Sequence, residues 1–294
     1  MKTDINLFLE TLNRSPKTIF AYRNGLSQFT KVVGEDAALN TETFIKFLIS
    51  LQHKSSSTQR VYRTAVLKFY AFCKVGNWVE LKEATEHYAG KSRKHIISFN
   101  RDAVEKVIKY SASLNGNLEA LRDRAFVLTL VDTGLRISEA CSLKRSDVIW
   151  TEKYAIINGK VDNQTVIRFS NRAIDALDVY LQARLSVELN SRKPIESQPL
   201  FARHDIRASK QIRPITAGGM WKAIKSRIVE SGVERNAVRI HDFRHYFVTT
   251  TYLAKRDLKL SQMLARHSSI STTNRYTHFG SEADVAYDQI FNKK

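Results

Sequence analysis

Apolar residues recur at helical spacing along almost the whole chain, and the period changes only once, between Asp147 and Phe169. A repeat of three or four residues lines one face of a helix, whereas alternation lines one face of a strand. Ile19, Tyr22, Leu26 and Phe29 follow the first rule, behind Ser15-Pro16, a cap followed by proline at the first helical position. Phe44, Phe47, Leu48 and Leu51 follow it again, as do Val61, Ala65, Phe69 and Phe72 behind Ser55-Ser56-Ser57. With a short helix over 4–12, this predicts helices over about 16–33, 41–51 and 58–74 and an all-α N-terminal domain. Beyond it, Asn100 caps a helix with Val104, Val107 and Ile108 inward, and 121–133 is apolar enough to be central core. DVIW, YAIIN and TVIRF then read as three short antiparallel strands. Helix resumes over 171–189, behind Thr216 with Met220, Trp221, Ile224 and Ile228, over 238–254 and over 257–265; Pro194, Pro199 and Pro214 mark 190–215 as irregular. The predicted fold is mainly α with a small three-stranded antiparallel sheet in the C-terminal domain.

At 294 residues there is room for two domains, each with its own core. The chain carries 47 Lys+Arg against 29 Asp+Glu, a net charge of +18. Residues 1–88 hold +4 of this and residues 89–294 hold +14. Such a balance favours a polyanionic partner, with plain solubility or ribosome association as the competing explanation. Cys73 and Cys141 lie in apolar helical contexts, without C-x-x-C or His-rich spacing, and read as buried thiols in a reducing compartment with no metal site. MKTDINLFLE mixes acids with apolar residues, and no apolar run approaches the ~20 residues that span a bilayer. No signal peptide is expected, and the expected location is intracellular and soluble.

The residues that carry chemistry lie in the second half. His241 and Arg244 are three apart, so a helix puts both on one face. His267 follows, then Tyr276; upstream, Arg136 begins the segment after Gly134, a residue that permits a left-handed backbone. Together these supply guanidiniums, imidazoles and a phenol, a set suited to holding a phosphodiester and attacking it with tyrosine. An arginine fork matches two phosphate oxygens at once. A phenol of pKa ~10 is a weak nucleophile near neutrality and needs a polarised site. Glu139, on the same helical face as Arg136, fits the orientation of an arginine, and His245 points away from His241 and Arg244 on a helix and reads as structural or as a backbone contact.

Thr133-Gly134-Leu135-Arg136-Ile137-Ser138-Glu139, then His241-Asp242-Phe243-Arg244-His245, then the run from His267 to Tyr276-Thr277-His278 resemble the tyrosine recombinase (phage integrase) family, compact Xer-like type. The resemblance covers about 98–278. It implies a helical core-binding domain that clamps DNA over 1–88, a linker over 89–97, and a catalytic domain over 98–294 with a C-terminal tail helix and no room for a further arm-binding domain. It implies a site-specific recombinase that cleaves and rejoins DNA through a 3′-phosphotyrosine, in integration, excision or resolution. Arg136 and Arg244 would clamp the phosphate, His241 would accept or position the tyrosine proton, His267 would bond a phosphate oxygen, and Tyr276 would attack. Lys160, in the turn between the second and third strands, would protonate the leaving 5′-oxygen, with Lys153 as competitor. No cofactor or metal is expected, because arginines supply the charge a metal would otherwise bring. Candidate DNA contacts are Arg60, Arg63, Lys91, Arg93, Lys94, Arg213 and Lys222, with Arg227 beside them; for each, an ordinary solvated charge is the alternative. The partner implied is double-stranded DNA with specific recombination sites, bound by a homo-tetramer that exchanges its C-terminal tails, in the cytoplasm on the nucleoid. Two departures from the family stand out: Gly159-Lys160-Val161 replaces Gly-Lys-Gly, and Arg266 occupies a position that is normally glycine, which alters the local turn and makes Arg266 a candidate phosphate contact. The rival functions are a type IB topoisomerase and a non-catalytic DNA-binding protein on the same scaffold.

Overall fold

A computed structural model describes residues 2–76, 78–88, 99–158, 164–189, 194–208, 211–267 and 272–273. The chain divides into two compact units, Met1–His95 and Ile96–Lys294.

The first unit contains α1 (Lys2–Glu10), α2 (Pro16–Val33), α3 (Thr41–Ser50), α4 (Ser56–Phe72) and α5 (Trp78–Ala84). Local chemistry sets the starts. Ser15 and Ser55 accept the backbone N–H of Thr18 and Thr58, and Asn40 closes a reciprocal capping box with Thr43. The helices bury Leu26, Phe29, Phe44, Phe47, Ala65, Val66, Phe69 and Tyr70 completely. Edge-on aromatic packing ties α2 to α3 and α4: Phe29 lies 5.3 Å from Phe47 and 5.9 Å from Tyr70 between ring centroids. The predicted stripes therefore face this core. The helix α5 is an element the periodicity did not announce.

Arg63, expected to face DNA, points inward instead. It is buried, and its Nη2 donates to the Lys82 carbonyl at 2.6 Å and to Thr85 Oγ1 at 3.2 Å. Burial pulls its guanidinium below the ordinary value, against the opposite pull of Glu86. Its job is to tie α4 to the end of α5. Arg60, one turn earlier, is exposed.

The second unit contains α6 (Arg101–Ser113), α7 (Leu118–Thr133), α8 (Ile137–Ser142), β1 (Val148–Ile149), β2 (Tyr154–Asn158), β3 (Gln164–Arg168), α9 (Asn171–Leu189), α10 (Ala217–Glu230), α11 (Ile240–Lys255) and α12 (Leu258–Ala265). The apolar helix α7 packs against α6, α9 and α11 at the centre, with Ala125, Phe126 and Val127 fully buried. A helix apolar all round belongs inside a core. The sheet is antiparallel in the order β1-β2-β3, with Ala155 opposite Ile167 and Ile156 opposite Val166. Ala155 and Ile167 face the core, while Ile156 and Val166 are exposed.

Buried ion pairs fasten the irregular segment after α9. Arg184, fully buried, bonds Glu188, the Tyr180 hydroxyl and the carbonyls of Pro199 and Leu200. Arg227 also differs from expectation: it binds Asp123 at 2.9 Å and Glu230 at 2.7 Å and braces α10 against α7. Both thiols are free; Cys141 is buried and pushed up to about 12 by that burial, so it stays protonated. Among the described residues, no helix is long and apolar enough to cross a membrane.

Candidate active site

The site is built on the turn that ends α7. Gly134 caps that helix in the left-handed region (φ 62°, ψ 21°), and its N–H bonds the Leu130 carbonyl at 3.0 Å. Only glycine fits, because a Cβ here would lie 2.4 Å from Phe247 Cδ1 on α11. The turn aims the Gly134 carbonyl inward and delivers Arg136 as the residue before α8. Arg136 is half exposed. Its guanidinium bonds Glu139 Oε1 at 2.6 Å, and its own backbone N–H bonds Glu139 Oε2 at 2.9 Å. Glu139 thus orients the arginine, as expected. Burial alone would raise the Glu139 carboxyl; the Arg136 N–H and guanidinium, with Arg266, outweigh it and hold the group below its usual range.

Arg244 enters from α11. It is buried, and its two Nη atoms donate to the carbonyls of Gly134 and Ala265. These two bonds fix the plane of the fork and link the end of α7 to the end of α12. The first turn of α11 is itself fixed by Asp242, which accepts the Arg239 N–H at 2.8 Å and pairs with the Arg239 guanidinium at 3.1 Å. That turn presents His241, exposed, three residues before Arg244.

His267 follows α12. Its Nδ1 lies 2.8 Å from Thr273 Oγ1, and its main chain is anchored by two bonds with Gln262. Burial lowers its pKa to about 4, reinforced by the positive charges of Arg244, Arg136, His245 and Arg266. The ring is therefore neutral near pH 7. The Gly134 carbonyl and Glu139 gather Arg136, Arg244 and Arg266 around one turn; His267 follows two residues after the Ala265 carbonyl that holds Arg244, and His241 stands one turn before Arg244 on α11. His245, expected to be structural, is half-buried with its ring 6.1 Å from Phe99, and it contributes to the field at His267.

Sequence reasoning flagged Arg266 as a departure without foreseeing its geometry. It caps α12 in the left-handed region (φ 55°, ψ 44°), and its Nη2 reaches the Gly134 carbonyl at 3.3 Å and Glu139 Oε2 at 3.4 Å. Thr273 and Asp242 were missed as supports, although an aspartate three residues into a helix is a readable capping signal.

Lys160, Tyr276, Lys91, Arg93 and Lys94 lie outside the described residues, as does the 89–97 linker. The competitor Lys153 sits in the β1–β2 turn (φ 55°), and its Nζ bonds Asn171 Oδ1 at 2.7 Å. Arg213 and Lys222 are exposed; Arg213 bonds Gln211.

The sequence profile of the phage integrase family matches residues 98–282. Tyrosine recombinase XerC of Listeria innocua serovar 6a is 27% identical over 278 residues, covering 92% of this chain and 89% of that protein. Tyrosine recombinase XerD of Listeria monocytogenes serovar 1/2a is 28% identical over 276 residues, covering 90% and 88%. In fold, the chain is similar to the XerH site-specific recombinase in its post-cleavage complex with palindromic difH substrate (TM-score 0.70, 22% identity, 94% of this chain and 80% of that one). It is also similar to a lambda integrase dimer bound to a COC′ core site (TM-score 0.66, 16% identity, 94% of each chain). These comparisons do not favour a topoisomerase or a non-catalytic binder. A family profile that matches residues 98–282, with XerC and XerD relatives that cover about nine-tenths of the chain, places the chain in the phage integrase family, as a site-specific tyrosine recombinase of the Xer-like type.

Proposed function

We propose that the protein cleaves and rejoins duplex DNA at specific recombination sites through a 3′-phosphotyrosine on Tyr276. The observation that carries this reading is the gathering of Arg136 and Arg244 around one turn, with neutral His267 two residues after the Ala265 carbonyl that holds Arg244. Arg136 and Arg244 bind the non-bridging oxygens of the scissile phosphate and stabilise the extra negative charge of the pentacoordinate transition state. Arg244 needs no reorganisation for this, since backbone carbonyls already hold its fork. Thr273 Oγ1 engages His267 Nδ1, which leaves Nε2 for a phosphate oxygen. His241 accepts the phenolic proton as Tyr276 attacks, and the exposed first turn of α11 leaves its ring accessible to the incoming side chain. Lys160 protonates the departing 5′-oxygen. Attack by a 5′-hydroxyl of the partner strand reverses the chemistry and completes exchange without ATP, because the phosphodiester energy is kept in the covalent link.

Residues 1–88 also bind the duplex, with Arg60 among the contacts; Lys91, Arg93 and Lys94 track the backbone in the linker, and Arg213 and Lys222 add contacts from the catalytic domain. The DNA-bound states of XerH and lambda integrase support duplex recombination-site DNA as the partner. A homo-tetramer on paired sites, with exchanged C-terminal tails, is the assembly that strand exchange needs. The DNA substrate puts the protein on the nucleoid, in the cytoplasm. A nicked duplex carrying the site, recovered by selection from random-sequence duplexes with the full-length protein, tests the reading. Wild type forms an SDS-resistant protein–DNA adduct, whereas Tyr276→Phe binds equally and forms none. An adduct that persists in the variant moves the nucleophile elsewhere, with Tyr246, Tyr252 and Tyr287 next in line.

A further inference from the structure

The geometry points to Arg266 as a third phosphate-binding guanidinium, one that contacts the scissile phosphate through Nη1. The inference rests on the recombinase reading above and adds a catalytic residue to it.

Arginine is a poor choice for this position on local grounds. Its backbone is left-handed (φ 55°), a conformation that costs a non-glycine residue about 1–3 kcal/mol when nothing compensates. Backbone strain alone proves little, since Arg256 caps α11 in the same way (φ 52°) with its side chain exposed. The difference is burial. The Arg266 side chain is nine-tenths buried, and its Nη1 is fully covered without a hydrogen-bond partner. An ionised donor left unsatisfied in the interior is expensive, and native structures seldom keep one without a use for it.

The surroundings identify the use. Nη2 of the same planar fork bonds the Gly134 carbonyl, which also receives Arg244, and Glu139 Oε2, whose other oxygen holds Arg136. Arg266 is thereby joined through single bridging groups to both arginines of the clamp. The charge balance agrees. Three guanidiniums, those of Arg136, Arg244 and Arg266, stand against the one carboxylate of Glu139, so Arg266 offsets that carboxylate. Without Arg266, Glu139 would cancel one of the two remaining guanidiniums. A phosphate oxygen at Nη1 supplies the missing acceptor and explains why a strained, buried arginine stands where glycine would be easier.

Arg266→Gly separates this from a structural role, because glycine suits the left-handed backbone and removes a buried unsatisfied group. The variant should unfold at the same or a higher denaturant concentration than wild type, yet form the adduct on the nicked duplex about 100-fold more slowly. On a duplex whose scissile phosphate is a neutral methylphosphonate, the difference between variant and wild type should largely vanish for one diastereomer, since the charge that Nη1 neutralises is gone. Wild-type cleavage by Arg266→Gly overturns the inference. An equal slowing on phosphate and on both methylphosphonates also overturns it, and makes Arg266 a support for Arg136 alone. If wild type itself forms no adduct on any duplex, the recombinase reading fails first and takes the inference with it.

Discussion

Gly134→Ala is the substitution with the largest consequence for its size. Alanine in the left-handed region costs about 1–2 kcal/mol. Its Cβ would lie 2.4 Å from Phe247 Cδ1 and 2.8 Å from Cε1, where comfortable carbon contacts need ~3.5–4.0 Å. Relieving that overlap moves Phe247 or the Gly134 peptide and adds about 1–3 kcal/mol. The total, roughly 2–5 kcal/mol, is measurable by urea unfolding of the full-length protein. The same peptide carries the carbonyl that fixes Arg244 and meets Arg266, and a displacement of ~1 Å in such a group lowers rates by about 100-fold. Cleavage of the nicked duplex should therefore fall much further than duplex binding. Adding Phe247→Ala removes the overlap but not the backbone penalty, so the double variant should stay about 1–2 kcal/mol below Phe247→Ala alone. A Gly134→Ala protein with wild-type unfolding and wild-type cleavage would show that this carbonyl does not set the guanidiniums.

Arg63→Ala should destabilise the N-terminal unit by about 1–3 kcal/mol by removing its bonds to the Lys82 carbonyl and Thr85 Oγ1 while leaving the salt dependence of DNA binding unchanged, whereas Arg60→Ala should lower the log–log salt slope by about one; a reduced slope for Arg63→Ala would return it to the DNA face. His204 and His267 both have folded-state pKa values lowered to about 4, mainly by burial, from 6.5. The unfolded chain binds more protons, so the stability these neutral rings contribute is complete above about pH 6.5 and lost as pH falls toward about 4. Calorimetry across that window should show Tm falling with acidity, and less steeply in His204→Gln; identical slopes would remove His204 from the effect. Replacing Lys91, Arg93 and Lys94 with glutamine should flatten the salt dependence, and an unchanged slope would take the linker off the DNA.

Much of the fold was legible because helix stripes and caps are local signals. Ser15, Asn100 and Thr216 begin helices as expected, and the change of period at β1–β3 matches the sheet. Arg63 was not legible: its position on α4 resembles an exposed arginine, and only the end of α5, an element without a strong stripe, turns it into a buried tie. Arg227 was misread for the same reason, since its partner Asp123 is 104 residues away and the pairing depends on packing of α10 against α7. In the site, residue types and order were readable. The Gly134 carbonyl as a common anchor was not, because backbone acceptors leave no mark in a sequence. Arg266 stood out as the wrong residue in a familiar place and as a candidate phosphate contact; the burial of its guanidinium was not readable.

A structure of the Tyr276→Phe variant on its uncut recombination site tests the central claim most directly. Arg136, Arg244 and His267 should lie within about 3.2 Å of oxygens of a single phosphate, with the substituted ring of a protomer facing it in line with the leaving oxygen. Arg136 and Arg244 on different phosphates, or a scissile phosphate remote from the turn at Gly134, would contradict the account.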